Sequence, residues 1–313
     1  MTLYLLGGFV LLFAAGELLV RGASNLAEKL GVQPLVIGIV VVGFGTSVPE
    51  LVTSVQAALR GSPGISIGNI VGSNVANMLL ILGAGAVIYP IVISRGHLFR
   101  DGGIGAIGAL FLGLAAWWRG GLDFISGLIL ITGLVIYLWF LLHDDHKKRK
   151  IAVADGGFKP QKFFTMAVFI DLLTTVAGIT GVLLGGKWLV DGAVWLAHMW
   201  GISESVIGLT VVALGTSLPE LATSVVAALK RHSDLAVGNV LGSNIYNIYG
   251  IGGVTAVITP VGISGHMARV DIPLLIVLSV VLIAIIFWQR GITRLTGAAF
   301  LVGYLAYVFA LFN

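Results

Sequence analysis

The sequence predicts an all-α membrane protein: ten transmembrane helices in two inverted five-helix repeats, with the N- and C-termini both outside. Three observations carry that prediction. Of 313 residues, 58% are hydrophobic and only 10% charged, against roughly 25% charged in an ordinary soluble domain. Apolar stretches recur from end to end between polar breaks. A pair of polar motifs is also duplicated at a constant offset. The composition excludes a soluble globular enzyme, and the recurring apolar runs exclude disorder and collagen despite 44 Gly and 8 Pro. The excess of 18 Lys and Arg over 14 Asp and Glu is read as basic residues retained on one side of a bilayer, which excludes a nucleic-acid partner. With no Cys, disulfides and thiolate metal sites are excluded.

A helix needs about 20 apolar residues to cross a hydrocarbon core. By that measure the first repeat, residues 1–142, holds spans over Leu3–Val20, Leu35–Leu59, Ile65–Tyr89, Ile104–Trp118 and Leu122–Leu142. The second, residues 163–313, holds Ala167–Ala197, Ser205–Leu229, Leu235–Thr259, Ile272–Trp288 and Gly297–Phe312. Between them lies HDDHKKRKIAVADGGFKPQK, residues 143–162, too polar to span and expected as a loop or short helix outside the bilayer. No basic segment or cleavage site precedes the first apolar stretch, which is expected as an uncleaved span. With the N-terminus outside, fourteen basic residues fall on the inner face and three, Arg60, Arg119 and Arg269, on the outer. That bias makes the 143–162 linker cytoplasmic and its KKRK run a topology signal.

Val36–Ser54, VIGIVVVGFGTSVPELVTS, matches Val206–Ser224, VIGLTVVALGTSLPELATS, at thirteen of nineteen positions, 170 residues apart. At the same offset GNIVGSNVAN (Gly68–Asn77) meets GNVLGSNIYN (Gly238–Asn247). The repeated units thus run over residues 43–77 and 213–247. Five spans separate equivalent points, and an odd number inverts the second copy. Inverted repeats with a site at their interface are a recurring plan of secondary transporters.

Glu50 and Glu220 fall within otherwise apolar spans, where an acidic side chain costs about 2.5 to 3.5 kcal/mol on insertion scales. No basic residue lies within a turn or two of either. Thr46 shares a helix face with Glu50, and Asn69, Ser73 and Asn77 form one polar stripe; Thr216 with Glu220, and Asn239, Ser243 and Asn247, repeat this. Pro49 and Pro219 each free a carbonyl four residues back, tolerated at membrane depth where it lines a cavity. Carboxylate, hydroxyl, amide and backbone oxygens without His or Cys suit a hard cation such as Ca²⁺. Gly64, Gly68 and Gly72, with Gly238 and Gly242, are expected to let helices approach closely. Two carboxylates balance one Ca²⁺, two Na⁺ or two protons, so one pocket can serve competing cations.

The paired GTSVPE/GSNVAN and GTSLPE/GSNIYN motifs resemble the alpha repeats of the sodium/calcium exchanger (calcium/cation antiporter) family, especially its small prokaryotic members. That resemblance implies a multi-pass protein of the prokaryotic cell membrane that exchanges Na⁺ for Ca²⁺, with no cofactor, working as a monomer among lipids. It implies Ca²⁺ ligation by Glu50 and Glu220 with backbone oxygens of Thr46 and Thr216. Na⁺ would use Ser47, Ser73, Ser217, Ser243 and the carbonyls of Gly43 and Ala213, with Asn77 and Asn247 near the centre. It also implies that the first and sixth spans slide past the rest. Some relatives carry Asp at the position of Asn247; Asn in both copies leaves two titratable groups and weighs against K⁺ dependence. The linker is too short for a calcium-binding regulatory domain. Two alternatives stay open: Ca²⁺/H⁺ exchange on the same fold, and a passive cation channel. An enzyme is not expected, for no nucleophile with a partner base appears.

Four other features are read plainly. GIGAIG, Gly103–Gly108, is helix-packing glycine rather than a nucleotide loop. His143 to His146 are expected as a solvated polar turn. Glu17 with Arg21, and Lys187 with Asp191, are expected as local pairs. Trp117, Trp118 and Trp288 are expected as interface anchors.

Overall fold

The computed structural model describes residues 2–154, 165–199 and 213–311. Seven helices among them are long and apolar enough to cross a membrane: Tyr4–Leu30, Pro63–Ile88, Leu98–Arg119, Phe124–Ile151, Met166–Gly192, Gly265–Gln289 and Arg294–Leu311. An eighth candidate is the pair Pro34–Thr46 and Val48–Leu59, bent by 44°. We name the helices α1 (Thr2–Leu30), α2 (Pro34–Thr46), α3 (Val48–Leu59), α4 (Pro63–Ile88), α5 (Leu98–Arg119), α6 (Phe124–Ala154), α7 (Met166–Met199), α8 (Ala213–Thr216), α9 (Leu218–Leu229), α10 (233–258), α11 (Gly265–Gln289) and α12 (Arg294–Leu311). Residues 205–212 of the expected seventh span lie outside the described residues.

Two helices outrun their expected limits. α1 continues past Val20 to Leu30, where Gly31 takes a left-handed φ of 65° and Pro34 opens α2, the stop that glycine and proline provide. α6 continues through the first half of the expected linker to Ala154. His143 to His146 are therefore no solvated turn. Asp145 is 5% exposed and accepts from the Gln33 N–H at 3.0 Å, while Asp144 pairs with Arg100 at 3.1 Å and Lys148 at 2.8 Å. Carboxylates that meet donors on a neighbouring segment keep the helix wound beyond its apolar stretch.

α1 packs along α7, backbone against backbone. A Cβ on Gly178 would lie 2.5 Å from the Leu19 nitrogen, so only glycine allows the approach. Lys187 pairs with Asp191 at 2.7 Å as expected, but Glu17 reaches across to Lys230 at the end of α9, at 2.6 Å, rather than to Arg21. A second bridge, Lys29 to Asp171, joins α1 to α7. Of the packing glycines, Gly238 and Gly242 press on α2, where a Cβ would meet the Leu35 carbonyl at 2.4 Å and the Ile39 Cα at 2.8 Å. The positions equivalent to Leu35 and Ile39 in the second repeat, 205 and 209, lie outside the described residues. Gly108 of GIGAIG packs on Tyr249 and Ile248, and Trp117, Trp118 and Trp288 stand exposed at helix ends.

Two short ladders join the repeats, a feature the all-helical expectation lacked. β1 (Ile91–Val92) pairs with β4 (Gly291–Ile292), and β2 (Gly121–Leu122) with β3 (Val261–Gly262), both antiparallel. The registers Ile91↔Ile292 and Val261↔Leu122 exchange under the 170-residue offset. Each ladder thus takes one strand from each repeat.

Candidate cation site

The site is built where two helices break. α2 ends at Thr46 and α3 begins at Val48, leaving Ser47 at φ −82°, ψ 6°; Ser217 breaks α8 from α9 at φ −91°, ψ 5°. A proline stands in the first turn of each new helix, where its missing N–H costs nothing. Glu50 and Glu220 fall in those first turns, beside backbone N–H groups without helical partners and the positive end of the helix dipole. That placement offsets part of the cost of burial. Both residues are 1% exposed.

Each carboxylate is held by the opposite repeat. Ser47 Oγ donates to Glu220 Oε1 at 3.1 Å, and Ser217 Oγ donates to Glu50 Oε1 at 3.2 Å. Around them the asparagines brace the broken helices. Asn69 Nδ2 donates to the Glu50 carbonyl at 3.1 Å and Ser54 Oγ at 2.9 Å, and its Oδ1 accepts from Thr216 Oγ1 at 3.3 Å. Asn239 does the same with the Glu220 carbonyl (3.2 Å), Ser224 Oγ (2.9 Å) and Thr46 Oγ1 (3.1 Å). Each threonine hydroxyl thus bonds a bracing amide, and the threonines join the serines in facing the acid of the opposite repeat.

Ser243 and Ser73 lie against the same groups. Ser243 Oγ lies 3.3 Å from the Gly43 carbonyl and 3.4 Å from Glu220 Oε1, and Ser73 Oγ accepts from Ser217 at 3.3 Å. Asn77 opens a π-helical stretch, Asn77–Ile81, and Asn247 lies in another, Tyr246–Gly252; such wide turns cluster at functional sites. Asn77 Nδ2 donates to Asn244 Oδ1 at 2.9 Å. Ala213 starts α8. The sequence reading missed Ser54, Ser224 and Asn244, and it left the bracing task of Asn69 and Asn239 unassigned. All five lie inside the duplicated motifs, so the repeat itself was the signal.

Four buried oxygens here, Glu50 Oε2, Glu220 Oε2, Asn77 Oδ1 and Asn247 Oδ1, meet no hydrogen-bond donor among the described residues. Buried acceptors are ordinarily paired, and an unpaired set of hard oxygens in a protein interior suits a cation. Among the described residues no group of three or more His, Cys, Asp or Glu is placed to hold a metal ion. The donor set is oxygen-rich, with two acids.

The family model for the sodium/calcium exchanger protein matches residues 1–143 and 170–313. The chain belongs to this exchanger family. The sodium/calcium exchanger MaX1 of Methanosarcina acetivorans is 31% identical over 99% of this chain and 98% of its own, and the inner membrane protein YrbG of Escherichia coli is 32% identical over 93% and 89%. The solved structure of the sodium-calcium exchanger NCX_Mj soaked with zero Na⁺ and Ca²⁺ superposes with a TM-score of 0.86 at 32% identity, covering 98% of this chain and 97% of that one. A multi-pass exchanger of cations, rather than a family of enzymes, is the setting in which the buried acids act.

Proposed function

We propose that this chain exchanges Na⁺ for Ca²⁺ across a prokaryotic cell membrane by alternating access at one pocket. Glu50 and Glu220 supply its charge, from two inverted five-helix halves with both termini outside and the 143–162 linker in the cytoplasm. The observation that carries this reading is the set of four undonated oxygens, two carboxylate and two amide, on residues 170 apart.

The mechanism follows from charge. Ca²⁺ would take the free carboxylate oxygens with backbone oxygens of Thr46 and Thr216. Two Na⁺ would spread over Ser47, Ser73, Ser217, Ser243 and the carbonyls of Gly43 and Ala213. Either load cancels two negative charges that hydrocarbon surroundings penalise. A filled pocket permits the switch between faces, and a bare, doubly negative one opposes it; a ligand shifts such an equilibrium only by binding its states differently. Ser47 and Ser217 couple the acids, since each hydroxyl sits beside its own repeat's Glu and bonds the other's. The reciprocal contacts support two halves related by a two-fold axis.

The test is ⁴⁵Ca²⁺ uptake into proteoliposomes loaded with Na⁺. Uptake that requires an outward Na⁺ gradient is expected. Uptake indifferent to Na⁺ but accompanied by proton movement, read by a pH-sensitive dye inside, would replace Na⁺ with H⁺ as the counter-ion. Flux indifferent to every counter-ion would make the protein a channel.

A further inference from the structure

We propose that Asn244 is a positioning residue that fixes the amide of Asn77 with its oxygen turned to the cation. An amide has a donor end and an acceptor end of nearly equal size. A free rotation of half a turn would present N–H groups to a cation and repel it. Asn77 is 1% exposed and Asn244 7%, and Asn77 Nδ2 donates to Asn244 Oδ1 at 2.9 Å across the two repeats. Asn77 Oδ1 is left buried without a donor, as are Glu50 Oε2, Glu220 Oε2 and Asn247 Oδ1. The bond therefore selects which end of Asn77 joins the oxygen set. It is also one-sided. Asn74, which stands in the first repeat where Asn244 stands in the second, turns its own amide to the Ile70 carbonyl at 2.7 Å. So the amide of Asn77 is oriented from the second repeat, and the reciprocal arrangement at Asn247 differs.

The inference rests on the cation-pocket reading, and its test separates the two. Ca²⁺ binding to the purified full-length protein, by calorimetry, is measured for Asn77→Ala, Asn244→Leu and the double variant. Asn244→Leu is expected to weaken Ca²⁺ by about tenfold, the order of effect of misdirecting one buried hydrogen-bonding group. In the Asn77→Ala background it is expected to add nothing, because the amide it orients is gone. Asn244→Asp keeps an oxygen for Asn77 Nδ2 and should restore binding relative to Asn244→Leu; it also serves where the Leu variant does not fold. Additive losses in the cycle, or Asp no better than Leu, would overturn the positioning role while leaving the pocket intact. Wild-type protein that binds no Ca²⁺ would overturn both.

Discussion

The two repeats agree closely in the serine and asparagine contacts that cross between them and part company elsewhere, beginning with Ser243, which approaches Glu220 where its counterpart Ser73 meets Ser217. Ser47 with Glu220 mirrors Ser217 with Glu50 to within 0.1 Å of one another, at 3.1 and 3.2 Å, and the asparagine braces mirror each other bond for bond. By contrast Asn244 holds Asn77 while Asn74 bonds its own helix. Glu17 bridges to α9 whereas its counterpart Lys187 stays on α7 with Asp191. On the proposed cycle, contacts that both repeats keep are those any carrier state needs, since the pocket would hold its load from either side, and contacts that one repeat keeps alone would distinguish one face or one conformation from the other.

The largest break in the comparison comes from the acids. Glu50→Gln and Glu220→Gln are each expected to reduce Na⁺-dependent ⁴⁵Ca²⁺ uptake to background, and to do so equally. Gln retains an acceptor for the serine hydroxyl, so elution as a monodisperse peak and an unchanged helical circular-dichroism signal should accompany the loss. An active variant at one position and a dead one at the other would show that the pocket belongs to one repeat.

The ladders give the next effect, on stability. At Gly291 an added Cβ would lie 2.0 Å from the Ile91 carbonyl, and at Gly121 2.3 Å from that of Val261. Alanine at either must push the strands apart, at a cost of about 1 to 3 kcal/mol for overpacking. A lower midpoint of thermal unfolding is expected for both variants, of similar size. An unchanged midpoint in one would show that the two joints between the repeats are not equivalent.

The loss of one serine hydroxyl acts on ion affinity rather than on stability. Ser47→Ala and Ser217→Ala each remove one bond to a buried carboxylate, worth about 1.5 to 3 kcal/mol for a charged acceptor. A weakened apparent affinity for Na⁺ and Ca²⁺, matched between the two variants, is expected from flux titrations. Unequal shifts would sharpen the comparison by showing which acid carries more of the load.

How much of this was legible beforehand follows from what kind of signal each feature leaves. Glu50, Glu220 and their polar neighbours stood out because a charge in an apolar span is costly and because it occurred twice. Pro49 marked a freed carbonyl but not the bend at Ser47, and Leu35–Leu59 read as one span. The cross-repeat pairing was not legible either, because Ser47 reaching Glu220 depends on how two distant segments meet, and spacing along one helix speaks only of that helix. Spacing therefore pointed to Thr46 as the neighbour of Glu50, while the buried Thr46 hydroxyl bonds Asn239 and faces Glu220 of the other repeat. The extension of α6 was hidden for another reason: Asp144 and Asp145 look like a solvated turn until Arg100 and Gln33 are seen beside them. Two-residue ladders carry too little pattern for any periodicity to reveal.

The smallest effect is expected at the bridge between Glu17 and Lys230. Their side chains are 58% and 48% exposed, and an exposed ion pair contributes about 0 to 1 kcal/mol. Thermal stability of Glu17→Gln should therefore stay near that of the wild type. The pair nonetheless joins α1 to α9, two elements of different repeats, while the equivalent Lys187 and Arg60 carry like charge and cannot make the same bond. If α1 and α7 shift against the rest during transport, the bridge favours the arrangement seen here, and removing it should speed exchange modestly without changing ion selectivity. Exchange rates compared at low and high ionic strength would check this, since screening by salt should bring the wild type toward the variant. Equal rates in both proteins at every ionic strength would show that this asymmetry between the repeats has no part in the cycle.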